Sequence, residues 1–251
     1  MLPIASGGVA CRGTPGAWNN LAVGLGMNGP VAREEIESIV QFYELAGIEP
    51  RIEVCPLADF SVIRHCEALN FRVRDFDNVL HRPVSASERV VPAQSPLADI
   101  SVRIVNKQDD AEVRRFSRIA MTGSKPPEND FPESDYALWA RIVKHPRTES
   151  FIASVHDSTG AHDAGAGSLE LHGEIACLFG LTTLADFRRK GVQQTLIAAR
   201  LNHAGTRGVR VATIGSRPGA GTERNVRRMG FQTAYTKVML ARSGPGLVPN
   251  R

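Results

Sequence analysis

A run of basic residues stands directly before a glycine in the C-terminal half of the sequence: Arg188, Arg189 and Lys190, then Gly191. The apolar run before them has the length of a strand, and the alanine- and leucine-rich run after Gly191 is typical of a helix. The first turn of a helix has backbone N–H groups without helical partners, and its dipole is positive at that end. A glycine at that point lets a ligand approach the backbone closely. The combination predicts a phosphate site at residues 188–193.

The loop resembles the pyrophosphate-binding loop of the GCN5-related N-acetyltransferase superfamily. That family's pattern has Arg or Gln, two residues, Gly, one residue, then Gly or Ala. The chain matches it at Arg188 and Gly191 and has Gln193 at the last position. The resemblance extends over about residues 100–242, because a second motif follows downstream.

The second motif contains Thr222 and Asn225 and closes with Gly230-Phe231. In the superfamily, a Ser or Thr, an Asn and a closing Gly-Phe recur on the helix that flanks the pantetheine arm of coenzyme A. Finding both motifs in this order makes an ordinary strand-to-helix turn a poor explanation of the basic loop.

The resemblance implies an α/β (α+β) fold of the acyl-coenzyme A N-acyltransferase type, with a mixed, mostly antiparallel sheet flanked by helices. It also implies transfer of an acetyl group from acetyl-coenzyme A to a primary amine of a small molecule or peptide. In this superfamily the strand before the loop is distorted and splays from the next strand, and pantetheine lies in that gap. The residues expected to bind acetyl-coenzyme A are Leu181, Thr182, Thr183, Arg188, Arg189, Lys190, Gly191, Val192, Gln193, Thr222 and Asn225.

Proton transfer is where the chain departs from the family. The position at which some members have a strand Glu as general base is Cys177, within an apolar run, and the usual position of a general-acid Tyr is Val226. A thiol in apolar surroundings is a poor base near neutral pH, and valine carries no proton. We therefore expect a peripheral base, Glu170 or Glu174, or water, and the hydroxyl of Ser216 or solvent as acid.

Composition disfavours other classes of protein. Of the 251 residues, 42% are hydrophobic and 22% charged, which is typical of a folded domain. The net charge is +4, but the basic residues are spread along the chain, so nucleic-acid binding is disfavoured. The four cysteines lack the C-x-x-C spacing of a zinc site, and no metal is expected. No apolar run approaches membrane-spanning length, and the start lacks a secretory signal, so we expect a cytoplasmic protein.

The order strand, helix, strand, helix, strand occurs twice, from about residue 20 to 80 and from 175 to 240. We interpret the first occurrence as a degenerate copy of the second, although such alternation also arises by chance. Aligning the copies places Pro30 opposite Gly191, and proline has no N–H to offer a phosphate. The first copy is therefore expected to bind no cofactor.

These patterns predict four segments. They are a degenerate half domain (1–82), a linker rich in Pro, Ser and Ala (83–98), the N-acetyltransferase domain (99–242) and a flexible tail (243–251). A protein that binds acyl-coenzyme A as a sensor or structural ligand, without turnover, remains an alternative. The sequence leaves monomer and homodimer equally open.

Overall fold

The computed structural model describes residues 1–124 and 130–249 and divides into two compact units. The first unit comprises Met1–Val79 together with the chain from Ala234, and the second comprises Leu80–Thr233. Within the described residues, no helix combines the length and apolar character needed to cross a membrane.

The first unit is a sheet packed against two helices. Its elements are β1 Leu2–Pro3, β2 Val9–Cys11, β3 Leu21–Val23, α1 Arg33–Glu44, β4 Arg51–Val54, α2 Ser61–Ala68, most of β5 Arg72–Pro83, and most of β11 Gln232–Ala241. The strand order is β1-β2-β3-β4-β11-β5. Ile36, Ile39 and Tyr43 lie on one face of α1 and are fully buried, because a spacing of three or four residues returns to the same side of a helix.

The second unit carries the predicted site. Its elements are β6 Asp99–Ile104, α3 Asp110–Ser124, α4 Glu133–Val143, β7 Thr148–Asp157, β8 Gly160–His172, β9 Ile175–Thr183, α5 Val192–Thr206, β10 Val211–Ser216 and α6 Gly221–Arg228. The strand order is β10-β9-β8-β7-β6, and every neighbouring pair is antiparallel except β9 and β10. The mostly antiparallel sheet flanked by helices is the predicted fold class.

Apolar side chains of the second unit form two clusters. Leu196, Ile197 and Leu201 of α5 pack with buried residues of β8 and β9 in one cluster. Phe116 of α3 packs with Ile152 of β7 and Ala166 of β8 in the second. The helix between the parallel strands β9 and β10 is a crossover connection, which parallel pairing requires.

The strand β9 is distorted near its end, as the family resemblance implied. Pairing with β10 runs from Val211 opposite Ile175 to Ile214 opposite Leu178 and stops there. The register with β8 then shifts at Gly180, whose φ is +60°. A bulge of this kind inserts an extra residue and bends the strand. The end of β9 is therefore freed from β10.

The two copies of the repeat have the same element order. The first is β3-α1-β4-α2-β5 and the second is β9-α5-β10-α6-β11. In both copies, the first helix connects two parallel strands. In the first copy these are β3 and β4, which pair with Ala22 opposite Ile52. The last strand, however, belongs to the first unit, because β11 pairs antiparallel with β4 from Val238 opposite Val54 to Ala241 opposite Arg51.

The predicted boundaries at 99 and 242 therefore differ from the structure. The expected linker, 83–98, lies in the second unit, and Val84 and Val90 are buried in its core. The backbone N–H of Val90 donates to Asn202 Oδ1 at 2.8 Å, and the Asn202 amide donates back to the Val90 carbonyl at 2.9 Å. Proline, serine and alanine suggested a linker, but hydrogen bonds to α5 hold the segment.

The described part of the expected flexible tail is also hydrogen-bonded. The N–H of Val248 donates to the Gly47 carbonyl at 2.9 Å, and the Val248 carbonyl accepts from the N–H of Glu49 at 3.0 Å. These bonds form a short parallel bridge beside Ile48. Residues 250 and 251 of the predicted tail lie outside the described residues.

Candidate functional site

The basic loop leads through Gly191 into helix α5. Gly191 precedes the first turn with φ +96°, and Val192 is the first helical residue. In the part of the chain that the structure describes, no acceptor meets the backbone N–H groups of Val192, Gln193 and Gln194. With the positive end of the helix dipole, these groups make the N-terminus of α5 a candidate anion site.

Gly191 is required for a reason that the sequence did not show. A Cβ atom at this position would lie 2.9 Å from Cα of Pro96, and the φ of +96° is one that other residues rarely adopt. The neighbouring carbonyl of Lys190 accepts a hydrogen bond from the N–H of Leu97 at 3.1 Å. The space that we expected a ligand to use at Gly191 is thus taken by the protein's own chain.

A cavity of about 980 Å³ lies at the end of β9 and at the N-termini of α5 and α6. Its volume is at the upper end of the range for ligand sites. Ten of the eleven residues expected to bind acetyl-coenzyme A line it: Leu181, Thr182, Thr183, Arg188, Arg189, Gly191, Val192, Gln193, Thr222 and Asn225. Lys190 does not line it; its Nζ lies 5.1 Å from the ring centre of Phe187, a cation–π distance.

Polar side chains join the two motifs across the cavity. Gln193 Nε2 donates to Thr222 Oγ1 at 3.1 Å, and Gln193 Oε1 accepts from the Asn225 amide. Gln194 Nε2 donates to Asn225 Oδ1 at 3.3 Å, while Gln194 Oε1 accepts from the N–H of Gln94 at 3.1 Å. The residue that departs from the family pattern, Gln193, therefore connects α5 to α6.

The electrostatic character of the cavity is positive. Arg188, Arg189 and Arg228 line it, and none of its lining residues within the described chain is Asp or Glu. Arg227 is instead engaged by Glu223, which accepts from its guanidinium at 2.8 Å. A concave surface with one sign of charge favours an anionic ligand.

Sequence reasoning did not identify all of the residues that line the cavity. Gln94, Ser95 and Leu97 line the cavity, although their segment reads as a linker, and no local pattern marks them. Gly123 also lines it, and a Cβ there would lie 1.7 Å from Thr182 Oγ1. A glycine in the last turn of a helix gives a weak signal of such close approach, because it is equally typical of a helix end.

The three expected catalytic residues do not line the cavity. Glu170 pairs with Arg147 at 3.0 Å and lies opposite Cys177, about 13 Å along β9 from Leu181. Glu174 precedes β9, more than about 20 Å from that end of the strand, and pairs with Arg210 at 3.5 Å. The structure therefore does not bring either carboxylate to the site.

Ser216 ends β10, the strand from which β9 separates. It is largely buried, and its hydroxyl donates to the Arg217 carbonyl at 3.3 Å. Ser216 lies at the C-terminal end of its strand. Because β9 and β10 run parallel, this is also the end at which β9 separates from β10.

The expected apolar surroundings of Cys177 are wrong. Its side chain is exposed, while Ala176 and Leu178 beside it are buried. Successive residues of a strand point to opposite faces, so an apolar run does not bury every member. Val226, at the position where the family has a general-acid Tyr, is fully buried in the core.

The corresponding helix of the first unit has its N-terminus filled by a carboxylate. Glu35 Oε2 accepts from the N–H of Ala32 at 2.9 Å, and Oε1 accepts from the N–H of Ser6 at 2.8 Å. The carboxylate places a negative charge at this helix N-terminus, where a phosphate would have to bind. That the first copy binds no cofactor stays a prediction.

No family model and no curated protein sequence matches the chain. Solved structures do: a GCN5-related N-acetyltransferase from Kribbella flavida has a TM-score of 0.62 at 16% identity, over 92% of this chain and 84% of that one. A GCN5-related N-acetyltransferase from Sphaerobacter thermophilus has 0.61 at 15% identity, over 84% of this chain and 65% of its own. A tandem GNAT protein from the clavulanic acid biosynthesis pathway has 0.59 at 16% identity, over 84% and 70%. The chain has the fold of the GCN5-related N-acetyltransferases.

Proposed function

We propose that this protein is an N-acetyltransferase that moves an acetyl group from acetyl-coenzyme A to a primary amine. The observation that carries the proposal is the cavity of about 980 Å³, which joins the freed end of β9 to the unpartnered N–H groups of α5. A basic concave surface at a helix N-terminus suits a pyrophosphate, and a strand edge without a partner suits an amide-containing arm.

Each part of the lining has a role toward this ligand. The N–H groups of residues 192–194, with Arg188 and Arg189, would hold the pyrophosphate. The backbone of residues 181–183 would bind the pantetheine amides, and Thr222 and Asn225 would flank the arm. When bound, acetyl-coenzyme A supplies an acyl group activated as a thioester.

Proton transfer must use weak groups, because no carboxylate of the described chain lines the cavity. Loss of a proton from the amine to water is the route that this lining supports best. The thiolate that leaves would be protonated by solvent or by Ser216. Glu170 and Glu174 pair with Arg147 and Arg210 and lie too far from the cavity to take the proton.

Two measurements test the proposal. Calorimetric titration with coenzyme A should show binding, and a panel of primary amines incubated with acetyl-coenzyme A should release free thiol. Replacing Arg188 and Arg189 together by alanine should weaken binding at least tenfold. The matched control replaces Arg207 and Arg210 by alanine, which removes the same amount of positive charge. These two arginines pair with Glu149 and Glu174 away from the cavity. Equal losses in the two double variants would contradict the assignment of the loop.

The same lining favours a second candidate, a protein that binds acyl-coenzyme A without turnover. The observation behind it is that no described Asp or Glu reaches the cavity to act as a base. Tight binding of coenzyme A without thiol release for any amine of the panel would support this candidate and exclude the enzyme.

A further inference from the structure

Arg200 is a buried charge without an acidic partner. It lies in α5, is 0% exposed, and within the described residues forms no ion pair. Burial lowers the pKa of its guanidinium to about 9, so it is still charged at neutral pH. Moving a cation into the interior is costly, and a pairing carboxylate is the usual compensation. Among the described residues, backbone carbonyls alone compensate the charge.

The guanidinium bonds to three carbonyl oxygens. Nε donates to Leu196 in the same helix at 3.1 Å, and Nη1 donates to Ser168 of β8 at 2.8 Å and to Phe179 of β9 at 3.3 Å. Nη2 is buried and has no partner in the described chain. Arg200 therefore connects α5 to two neighbouring strands through a charge-assisted contact.

Those two strand residues mark the start of the bulge. Ser168 and Phe179 are the last residues paired before the register of β8 and β9 shifts, and Gly180 follows with φ +60°. The opposite residue is Gly167, where a Cβ would lie only 3.1 Å from the guanidinium carbon. The absence of a side chain at 167 gives the arginine the space it occupies.

We propose that Arg200 is a positioning residue that fixes the bulge of β9 and thereby the backbone of Gly180 and Leu181 beside the acyl end of coenzyme A. The inference rests on the proposed function. A bulge breaks the regular ladder and leaves carbonyls with poorer partners, and a cation there satisfies them. The Phe179 carbonyl shares a peptide unit with the Gly180 N–H, and bonding one end of such a unit strengthens the other end as a donor.

The test compares Arg200→Met, which keeps the length and removes the charge, with Arg200→Lys and Gly167→Ala. The lysine keeps the charge, and the alanine displaces the guanidinium without removing it. Leu201→Ala is the matched control, because it removes buried contacts from the same helix and keeps Arg200 with its three carbonyl partners. Each variant is measured by amide hydrogen exchange of residues 178–183 in the free protein, by calorimetry with coenzyme A and acetyl-coenzyme A, and by turnover.

For Arg200→Met we expect faster exchange at 178–183, coenzyme A affinity within about threefold of wild type, and loss of any preference for acetyl-coenzyme A. The kcat should fall about tenfold, less than for removing a direct oxyanion donor. Gly167→Ala should shift each quantity in the same direction by less, and Arg200→Lys should recover part of the loss. Leu201→Ala should leave exchange at the bulge and kcat near wild type.

Unchanged exchange in Arg200→Met, or equal losses in coenzyme A affinity and kcat, would overturn the inference, because Arg200 would then only support the helix. The exchange and affinity measurements need no turnover. A wild-type protein that binds acetyl-coenzyme A and acetylates no amine would therefore remove the proposed function while these measurements still decide the role of Arg200. A wild-type protein that binds no coenzyme A would overturn both.

Discussion

At the scale of single residues, Gly191 shows that a motif glycine can serve the protein's own packing. Its φ of +96° requires glycine, and Pro96 occupies the space where a side chain would begin. The proline segment and the basic loop are thus held against each other. Replacing Gly191 by proline cannot isolate the lost N–H group, since proline is fixed near φ −65° and would rearrange the loop.

Gly191→Ala should lower the melting temperature and weaken coenzyme A binding at least tenfold, because both the backbone and Pro96 must move. Gly208→Ala is the matched control. Gly208 has φ +76° at the other end of α5, and a Cβ there meets nothing within 4 Å. Both changes introduce left-handed strain of about 1–2 kcal/mol. Equal effects on coenzyme A affinity, measured by calorimetry, would show that the contact with Pro96 is unimportant.

His203 gives a prediction on pH. Its ring meets Phe151 edge to face at 5.5 Å, and its Nε2 is buried without a partner in the described chain. Burial lowers the pKa of His203; Glu149 opposes this shift and Arg207 adds to it. The unfolded chain, with a pKa near 6.5, binds the proton more readily, so stability should fall as pH drops below about 6.5.

His203→Leu should remove this loss of stability at low pH. Urea unfolding at pH 8 and pH 5.5 should show the variant gaining free energy of unfolding relative to wild type at the lower pH. Parallel changes in the two proteins would indicate that other groups cause the acid sensitivity.

At the scale of elements, α5 and α6 are joined by the side chains of Gln193, Thr222 and Asn225. All three line the cavity, and Gln193 stands where the resembling family has Gly or Ala. A ligand that bonds to Thr222 or Asn225 must compete with these bonds. We therefore expect the network to stabilise the free protein and to lower its affinity for a ligand.

Gln193→Ala should therefore bind coenzyme A about threefold to tenfold more tightly, since Thr222 and Asn225 become available to the ligand. The free protein should lose about 1–2 kcal/mol of unfolding free energy, the usual value of two hydrogen bonds. Asn225→Ala is the contrasting variant, expected to lose both stability and affinity. Weaker binding in Gln193→Ala would mean that Gln193 itself contacts the ligand.

At the scale of the whole molecule, the two copies of the repeat differ where a phosphate would bind. The helix α5 presents free N–H groups to a basic cavity, whereas Glu35 occupies the N-terminus of α1. An internal carboxylate repels a phosphate as well as replacing it.

We expect one coenzyme A per chain. Calorimetry should give a stoichiometry near one, and the double replacement of Arg188 and Arg189 by alanine should leave no second, weaker binding event. Replacing Glu35 by glutamine should leave the stoichiometry unchanged, because Pro30 still offers no N–H group to a phosphate. Two equivalents in the wild type would refute the degenerate copy.

Features that depend on neighbouring residues could be predicted from the sequence. The apolar run, the basic loop and the helix after Gly191 are adjacent in the chain, so their order predicts a strand, a turn and free N–H groups. The element order of both copies is likewise local. Ten of the eleven expected binding residues line one cavity because the motifs lie at the ends of adjacent elements.

Features that depend on residues far apart in the chain became visible in the folded structure. Val90 and Asn202 are 112 positions apart, and their paired hydrogen bonds hold the expected linker, 83–98, against α5. The pairing of β11 with β4, the exposure of Cys177 and the burial of Arg200 also follow from which strands and helices meet. No local pattern encodes these contacts, because packing and hydrogen bonding between distant segments outweigh the preferences of short stretches.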